Sequence, residues 1–241
     1  MRTDIVKGVC ILEFNEQENE SGITFEMINN LITILEKIET DSDIYSIIFV
    51  GSGRIFFRGH SVKELKEGLS ATDISYSDTL KKTYSQLIKI IRNSSKLYIS
   101  AVNGLCVGSG FGIALSSDLI IASEKAYFIS PYADMGLFPD AGLSYFLMQN
   151  IGYYRTMQIL LTGCNLSGLE AYQAGIVNYL YSKEDIKSKA IELAHKIKKK
   201  IKVFSMLKQH LNSLSSVSID EVLCMEEIMQ SKSIEKLKYE K

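Results

Sequence analysis

Apolar and polar positions alternate along the chain in a way that predicts strands and helices in turn. Residues 10–14 (CILEF) and 46–50 (SIIFV) are short, apolar and rich in β-branched side chains, the mark of buried strands. Between them FEMINNLITILEKIE places Phe25, Ile28, Leu31, Ile32 and Leu35 at helical spacing. A strand, a helix and a second strand in that order predict a crossover unit with the two strands parallel. Gly51-Ser52-Gly53 then breaks the chain, and residues 64–78 are polar and mixed, which predicts a mobile surface segment. A helix is expected over 79–93 and a strand over 97–102. Residues 104–118 (GLCVGSGFGIALSSD) form a glycine cluster running into a helix of small residues, followed by short strands at 119–122 and 127–129. From Ala141 helices dominate, with an amphipathic pattern over 186–200 and a polar helix around 221–229. The expected architecture is a repeated βα core with a helical C-terminal portion, and no internal repeat or low-complexity linker interrupts it.

Composition narrows the function classes. The chain has 241 residues, enough for one large domain, or a main domain with a helical extension. Lys+Arg number 27 against 28 for Asp+Glu, so no global basic field exists to hold nucleic acid or an anionic membrane. The basic run Lys196 to Lys202 sits at the end of a helix, where cations complement the dipole, and reads as a solvated face. Cys10, Cys106, Cys164 and Cys224 show no CxxC or Cys/His pairing, and His60, His195 and His210 are far apart. Neither a metal site nor a disulfide scaffold is expected. No apolar segment reaches the ~18 residues of a membrane span, and the first residues lack a signal-peptide core, so a soluble, cytoplasmic protein is expected.

The glycine cluster lacks the Lys-Ser/Thr of a P-loop, and Gly108-x-Gly110-x-Gly112 misses the GxGxxG dinucleotide spacing. What remains is a helix N-terminus that presents backbone N–H groups to an anion, or close helix packing with no chemistry at all.

SAVNGLCVGSGFGIALSSDLIIAS resembles the signature of the crotonase (enoyl-CoA hydratase/isomerase) superfamily, AxNGxxxGxGxxxxxxxDxxxA. FFRGHSVKEL, MGLFPDAGLSYFL and LLTGCNLSGLEAYQAGIVNYL resemble three further blocks of that superfamily, in order, and the likeness covers roughly residues 8–215. The resemblance implies an α/β fold, a spiral of ββα repeats (expected over residues 1–190) with a C-terminal helical trimerisation region (191–241). It implies a thioester substrate, carried by coenzyme A or by a carrier protein, no separate cofactor, no metal, and a homotrimer or hexamer. It also implies an oxyanion hole for a thioester enolate, made by the backbone N–H groups of His60 and Ser109. Each such donor is worth about 3–4 kcal/mol to the barrier. Gly108, Gly110, Tyr132, Leu137 and Phe138 fall at substrate-pocket positions of the resemblance, and Lys63 at a position that meets a phosphate or the adenine of CoA.

Three departures from the family pattern matter. Hydratases carry one glutamate where this chain has Gly112 and a second where it has Tyr132, and the aspartate of the GxD loop is replaced by Ser61. Water addition uses both acids, whereas moving a double bond from C3 to C2 needs a single base. In several superfamily isomerases that base lies in the segment aligned with Pro139-Asp140, so the resemblance makes Asp140 the expected proton shuttle. Read locally, Asp140 is equally a helix N-cap, since Asp-Ala-Gly precedes a helical run over 143–150. Asp134 is a weaker candidate base. Two other functions stay open: a hydrolase of the 3-hydroxyisobutyryl-CoA type, whose members share GLFPDxGxxYFL, and an inactive acyl-CoA-binding or assembly subunit. A dehalogenase nucleophile also occupies this slot in the superfamily, but with a tryptophan near the acid, and this chain has none.

Overall fold

The computed structural model describes residues 1–19, 21–69, 73–163, 165–214 and 221–230. Cys164 and the tail after residue 230 lie outside the described residues, as do residues 70–72 of the segment read as a mobile surface stretch. The chain opens with strands β1 (Arg2–Val6) and β2 (Val9–Phe14), a short helix α1 (Glu16–Asn19), the long helix α2 (Phe25–Thr40), and strands β3 (Ser46–Gly51) and β4 (Ile55–Phe57). Helices α3 (Val62–Leu69), α4 (Asp73–Lys82) and α5 (Tyr84–Asn93) follow, then β5 (Leu97–Val102), β6 (Leu105–Val107) and α6 (Ser109–Ser116). Strands β7 (Leu119–Ser123) and β8 (Tyr127–Ile129) precede α7 (Leu143–Thr162), β9 (Leu166–Ser167), α8 (Gly168–Gln173) and β10 (Tyr179–Tyr181). Helix α9 (Ile186–Ile197) passes through a 3-10 turn at Lys198–Lys200 into α10 (Ile201–Ser213), and residues 221–230 are helical.

The strands sort into two sheets. One has six strands in the order β1-β2-β3-β5-β7-β10, the other four in the order β4-β6-β8-β9. Consecutive strand pairs, β3 with β4, β5 with β6, and β7 with β8, each place one strand in either sheet. Each pair stacks parallel on the preceding one, Ile47 opposite Tyr98 and Ile99 opposite Leu119 in the large sheet, Leu105 opposite Tyr127 in the small one. Helices connect one pair to the next, which is the expected spiral of ββα turns. The crossover pair read from the sequence, β2 with β3, is parallel.

Both faces of the large sheet are buried at its inner strands, which is why β2, β3 and β5 are largely apolar. Cys10, Leu12, Ile47, Phe49 and Tyr98 face the main core with α2, α5 and α6. The alternate residues Val9, Ile11, Ile48, Val50, Ile99 and Ile121 pack on Ile186, Ala190 and Ala194 of α9. The boundary expected at residue 190 therefore falls inside a helix that packs on the sheet along its length.

Two residues of the glycine-cluster signature have structural work in this frame. Asn103 Oδ1 accepts from Gly51 N–H at 2.9 Å and its amide donates to Gly53 C=O, tying one turn of the spiral to the next. Asp118 Oδ2 accepts from Tyr98 N–H at 2.8 Å and from Lys208 Nζ at 3.0 Å, fastening α10 to the core. Burial pushes the Asp118 carboxyl up and the Lys208 ammonium down, against the mutual attraction of the pair.

The segment over 64–78, expected as a mobile surface segment, carries most of α3 and the start of α4. Its pattern reads poorly because the described apolar side chains of these helices, Val62, Leu65, Tyr76 and Leu80, line a cavity. The helix expected over 79–93 is two helices, since Thr83 (φ −113°, ψ −92°) leaves helical geometry and turns its hydroxyl to Thr79 C=O at 2.6 Å. The helix from Leu143 also runs beyond 150, interrupted at Gly152, whose φ of 72° lies in the left-handed region. Among the described residues no helix is long and apolar enough to cross a membrane. The described cysteines Cys10, Cys106 and Cys224 are free thiols, and no His/Cys/Asp/Glu cluster there could hold a metal.

Candidate active site

Three turns of the spiral enclose a cavity of about 420 Å³. The first follows β4. Ile23 N–H donates to Gly59 C=O at 2.7 Å and Ser61 N–H to Ile23 C=O at 2.9 Å, a parallel bridge centred on His60. Such a bridge uses residues 59 and 61, so the His60 N–H points to the opposite side of the strand. The second turn follows β6. Gly108, at φ 55°, breaks the strand and caps α6, whose first residue is Ser109. The first N–H groups of a helix have no internal acceptor, so Ser109 presents one by geometry alone. The two turns touch: a Cβ on Gly59 would stand 2.8 Å from Val107 C=O.

The third turn, after β8, holds the acid. Leu137 N–H donates to Tyr132 C=O at 2.8 Å, folding residues 131–137 back on themselves. Ala141 (φ 49°) and Gly142 (φ 72°) then adopt left-handed conformations in succession. For alanine that conformation costs about 1–2 kcal/mol, and it is held here because Ala141 packs against Gly112 of α6, where a Cβ would lie 2.5 Å from Ala141 C=O. The N-cap of α7 is Gly142, with no side-chain cap. Asp140 therefore does not cap the helix through its carboxylate. Its Oδ1 accepts from the Tyr132 hydroxyl instead.

His60, Gly108, Ser109, Tyr132, Leu137, Phe138 and Asp140 all line the cavity, seven of the nine expected site residues. Lys63 and Gly110 do not. Lys63 is exposed on α3, beside the lining residue Val62. Gly110 is buried where a Cβ would lie 2.6 Å from Phe57 C=O, so it serves the packing of α6 on β4. Asp134 is exposed and outside the lining. Tyr76 and Leu80 are lining residues outside every motif, and Arg58 and Met135 lie within motif blocks without having been singled out. Tyr84 was readable only as an apolar helical position.

The electrostatics centre on one carboxylate. Asp140 is the only acid among the described lining residues, and burial holds its carboxyl above the usual aspartate range while the Tyr132 hydrogen bond works the other way. Burial and the Asp140 charge push the Tyr132 phenol well up, so it remains a donor. Burial, with Asp140 and Glu64, pushes Tyr76 up to about 12. Burial pulls the His60 imidazole down to about 4, leaving it neutral at pH 7, tilted against Phe25 with ring centres 4.3 Å apart and with Nδ1 3.3 Å from the Tyr84 hydroxyl. Val62, Met135 and Phe138 stand 51%, 47% and 84% exposed, giving the mouth an apolar rim. The arrangement offers backbone donors for a developing oxyanion, one base of raised pKa and an apolar approach.

A test of the Ser109 position follows directly. Ser109→Ala keeps the N–H and removes only the hydroxyl, so turnover should stay within about threefold of the parent if the amide is the working group. A loss of a hundredfold or more in kcat, with the fold intact, would assign the role to the hydroxyl.

Residues 4–241 match the family model described as enoyl-CoA hydratase/isomerase. Among curated relatives, the chain is 29% identical over 191 residues to 4-chlorobenzoyl coenzyme A dehalogenase-2 of Arthrobacter sp, covering 79% of this chain and 69% of the relative. It is 28% identical over 223 residues to 1,2-epoxyphenylacetyl-CoA isomerase of Escherichia coli, covering 92% and 85%. A solved enoyl-CoA hydratase from Polaromonas sp. superposes with a TM-score of 0.89 over 97% of this chain and 91% of the other, at 24% identity.

Proposed function

We propose, from the premise that the chain belongs to the enoyl-CoA hydratase/isomerase family, that it moves the double bond of an enoyl thioester from C3 to C2. The carrying observation is the single carboxylate among the described lining residues of the cavity, Asp140, beside positions 112 and 132 that hold glycine and tyrosine. The Asp140 carboxylate takes a proton from C2. The electron pair left behind delocalises through C3–C4 and the thioester, where the N–H groups of His60 and Ser109 meet the negative oxygen. Protonated Asp140 returns the proton to C4, which leaves the C2–C3 double bond conjugated with the thioester and Asp140 ionised again. Among the described lining residues hydration finds no second acid to handle the water. The acyl group lies against the apolar walls, and the coenzyme or carrier arm leaves through the mouth.

Likeness to 4-chlorobenzoyl coenzyme A dehalogenase-2 supports a second reading, with Asp140 as a nucleophile that expels chloride from an aryl ring. One experiment separates the two. A panel of 3-enoyl-CoA substrates is followed for the absorbance of a conjugated thioester, with 4-chlorobenzoyl-CoA followed for chloride release. Conjugation with at least one enoyl-CoA and no chloride is the expected outcome. Chloride release, or fast hydration of a 2-enoyl-CoA, would contradict the isomerase reading.

A further inference from the structure

The Tyr132 side chain touches both halves of the chemistry. Its hydroxyl donates to Asp140 Oδ1, and a Cβ on Gly108 would stand 3.5 Å from that same hydroxyl oxygen. The phenol therefore fills the space between the acid and the turn that presents the Ser109 N–H. Tyr132 itself is 8% exposed, and its C=O accepts from Met135 N–H at 3.1 Å and Leu137 N–H at 2.8 Å, so its backbone is held. The Asp140 backbone is tied to α7, its C=O accepting from Leu143 N–H at 3.0 Å, but that bond leaves the direction of the carboxylate open. Asp140 sits in a turn next to two left-handed residues, outside any helix or strand, and among the described residues Tyr132 is its one side-chain hydrogen-bond partner.

We propose that Tyr132 is a positioning residue, which fixes the Asp140 carboxylate by occupying Oδ1 and leaves Oδ2 as the oxygen that exchanges a proton with substrate. Wedged against Gly108, the same phenol sets the separation between that oxygen and the oxyanion donors. A phenol suits this place better than a second carboxylate. It donates without carrying charge, and with its own ionisation far above neutrality it does not compete for the substrate proton. The groups facing Asp140 are few: Tyr132 from its own loop, Tyr76 from α4 and Tyr84 from α5, with Glu64 of α3 acting on both of the latter. Arg58 and the neutral His60 line the same cavity. Of these, only Tyr132 lowers the Asp140 carboxyl against its burial.

The role of Tyr132 rests on Asp140 being the base, and the test is arranged so that the two can fail separately. In Tyr132→Phe the ring stays and one oxygen is lost. The Asp140 carboxyl is titrated by NMR in protein labelled with 13C at aspartate, its signal assigned by its absence from Asp140→Asn. Loss of the donor should raise its titration by about one to two pH units. On a 3-enoyl-CoA, kcat should fall roughly tenfold to a hundredfold with KM little changed, the worth of a hydrogen bond to a charged group. The acid limb of kcat/KM should move up with the titration. A folded Tyr132→Phe whose Asp140 titration matches the parent overturns the role, whatever the activity. A shifted titration in a protein with no isomerase activity keeps the Tyr132–Asp140 coupling and removes the isomerase reading. Should Tyr132→Phe not fold, 3-fluorotyrosine at position 132 serves in its place. Its stronger donor should lower the Asp140 titration, and an unchanged value overturns the role.

Discussion

Asp140→Asn is expected to lower isomerisation of a 3-enoyl-CoA by a factor of roughly 10²–10⁴, the usual contribution of a positioned general base. Stability should change by less than about 1 kcal/mol. The amide keeps the size of the side chain and still offers an oxygen to the Tyr132 hydroxyl, and α7 is capped by Gly142 rather than by the Asp140 side chain. Burial makes the charged carboxylate costly, so removing the charge compensates for part of any weakened hydrogen bond. The parent enzyme should show an acid limb in kcat/KM above the ordinary aspartate range, because burial raises Asp140 and activity is lost as pH falls through that value. Asp140→Asn should abolish that limb. A variant that melts several degrees early while keeping its turnover would return Asp140 to a structural role.

Gly112→Glu should not restore hydration; it should damage the site. Gly112 lies in the buried helix α6. A Cβ there would sit 2.5 Å from Ala141 C=O, 2.8 Å from Ala141 Cβ and 3.0 Å from its carbonyl carbon. Backbone atoms cannot step aside as the end of a flexible side chain can, so the residue 140–142 turn must move, and Asp140 moves with it. Overpacking of this kind costs about 1–3 kcal/mol or more, and an unpaired acid in a buried position adds to it. A total near 3 kcal/mol corresponds to a melting temperature lower by about 6–12 °C in a chain of this size. Isomerisation should fall with it, since the base is displaced. Thermal denaturation alongside the enoyl-CoA assay checks both. Parent-like melting with new hydratase activity would show that the turn yields and that only the missing acid kept hydration away.

Why parts of this were readable in the sequence and others not has a physical basis. Strands β2, β3, β5 and β7 announce themselves because both faces of their sheet are buried, which forces unbroken β-branched runs. The glycine signature is legible because Gly108 and Gly110 sit where a strand breaks and a helix presses on β4. Strand β1 hides because it is an exposed edge, with four of its five residues in solvent. Strands β4, β6 and β9 are two or three residues long, too short for any period to show. Helices α3 and α4 were missed because their apolar residues Val62, Leu65, Tyr76 and Leu80 face a cavity rather than a continuous core. The same fact hides part of the pocket: Tyr76 and Leu80 meet Asp140 only in three dimensions, carried there by segments with no motif. The local reading of Asp140 as a cap failed for a related reason. Its true partner, Tyr132, lies eight residues back, across a turn that passes through the left-handed Gly136 and that no pattern of polarity reveals.

The most direct test of Asp140 as the proton shuttle isolates the first proton transfer. A 3-enoyl-CoA deuterated at C2 is incubated with the parent protein and with Asp140→Asn, and loss of the C2 deuterium is followed by NMR. The parent should remove it at a rate at least equal to isomerisation and place part of it at C4, while Asp140→Asn should lose it at least a hundredfold more slowly. Removal of the C2 deuterium by Asp140→Asn at the parent's rate would contradict the account, whatever became of the product.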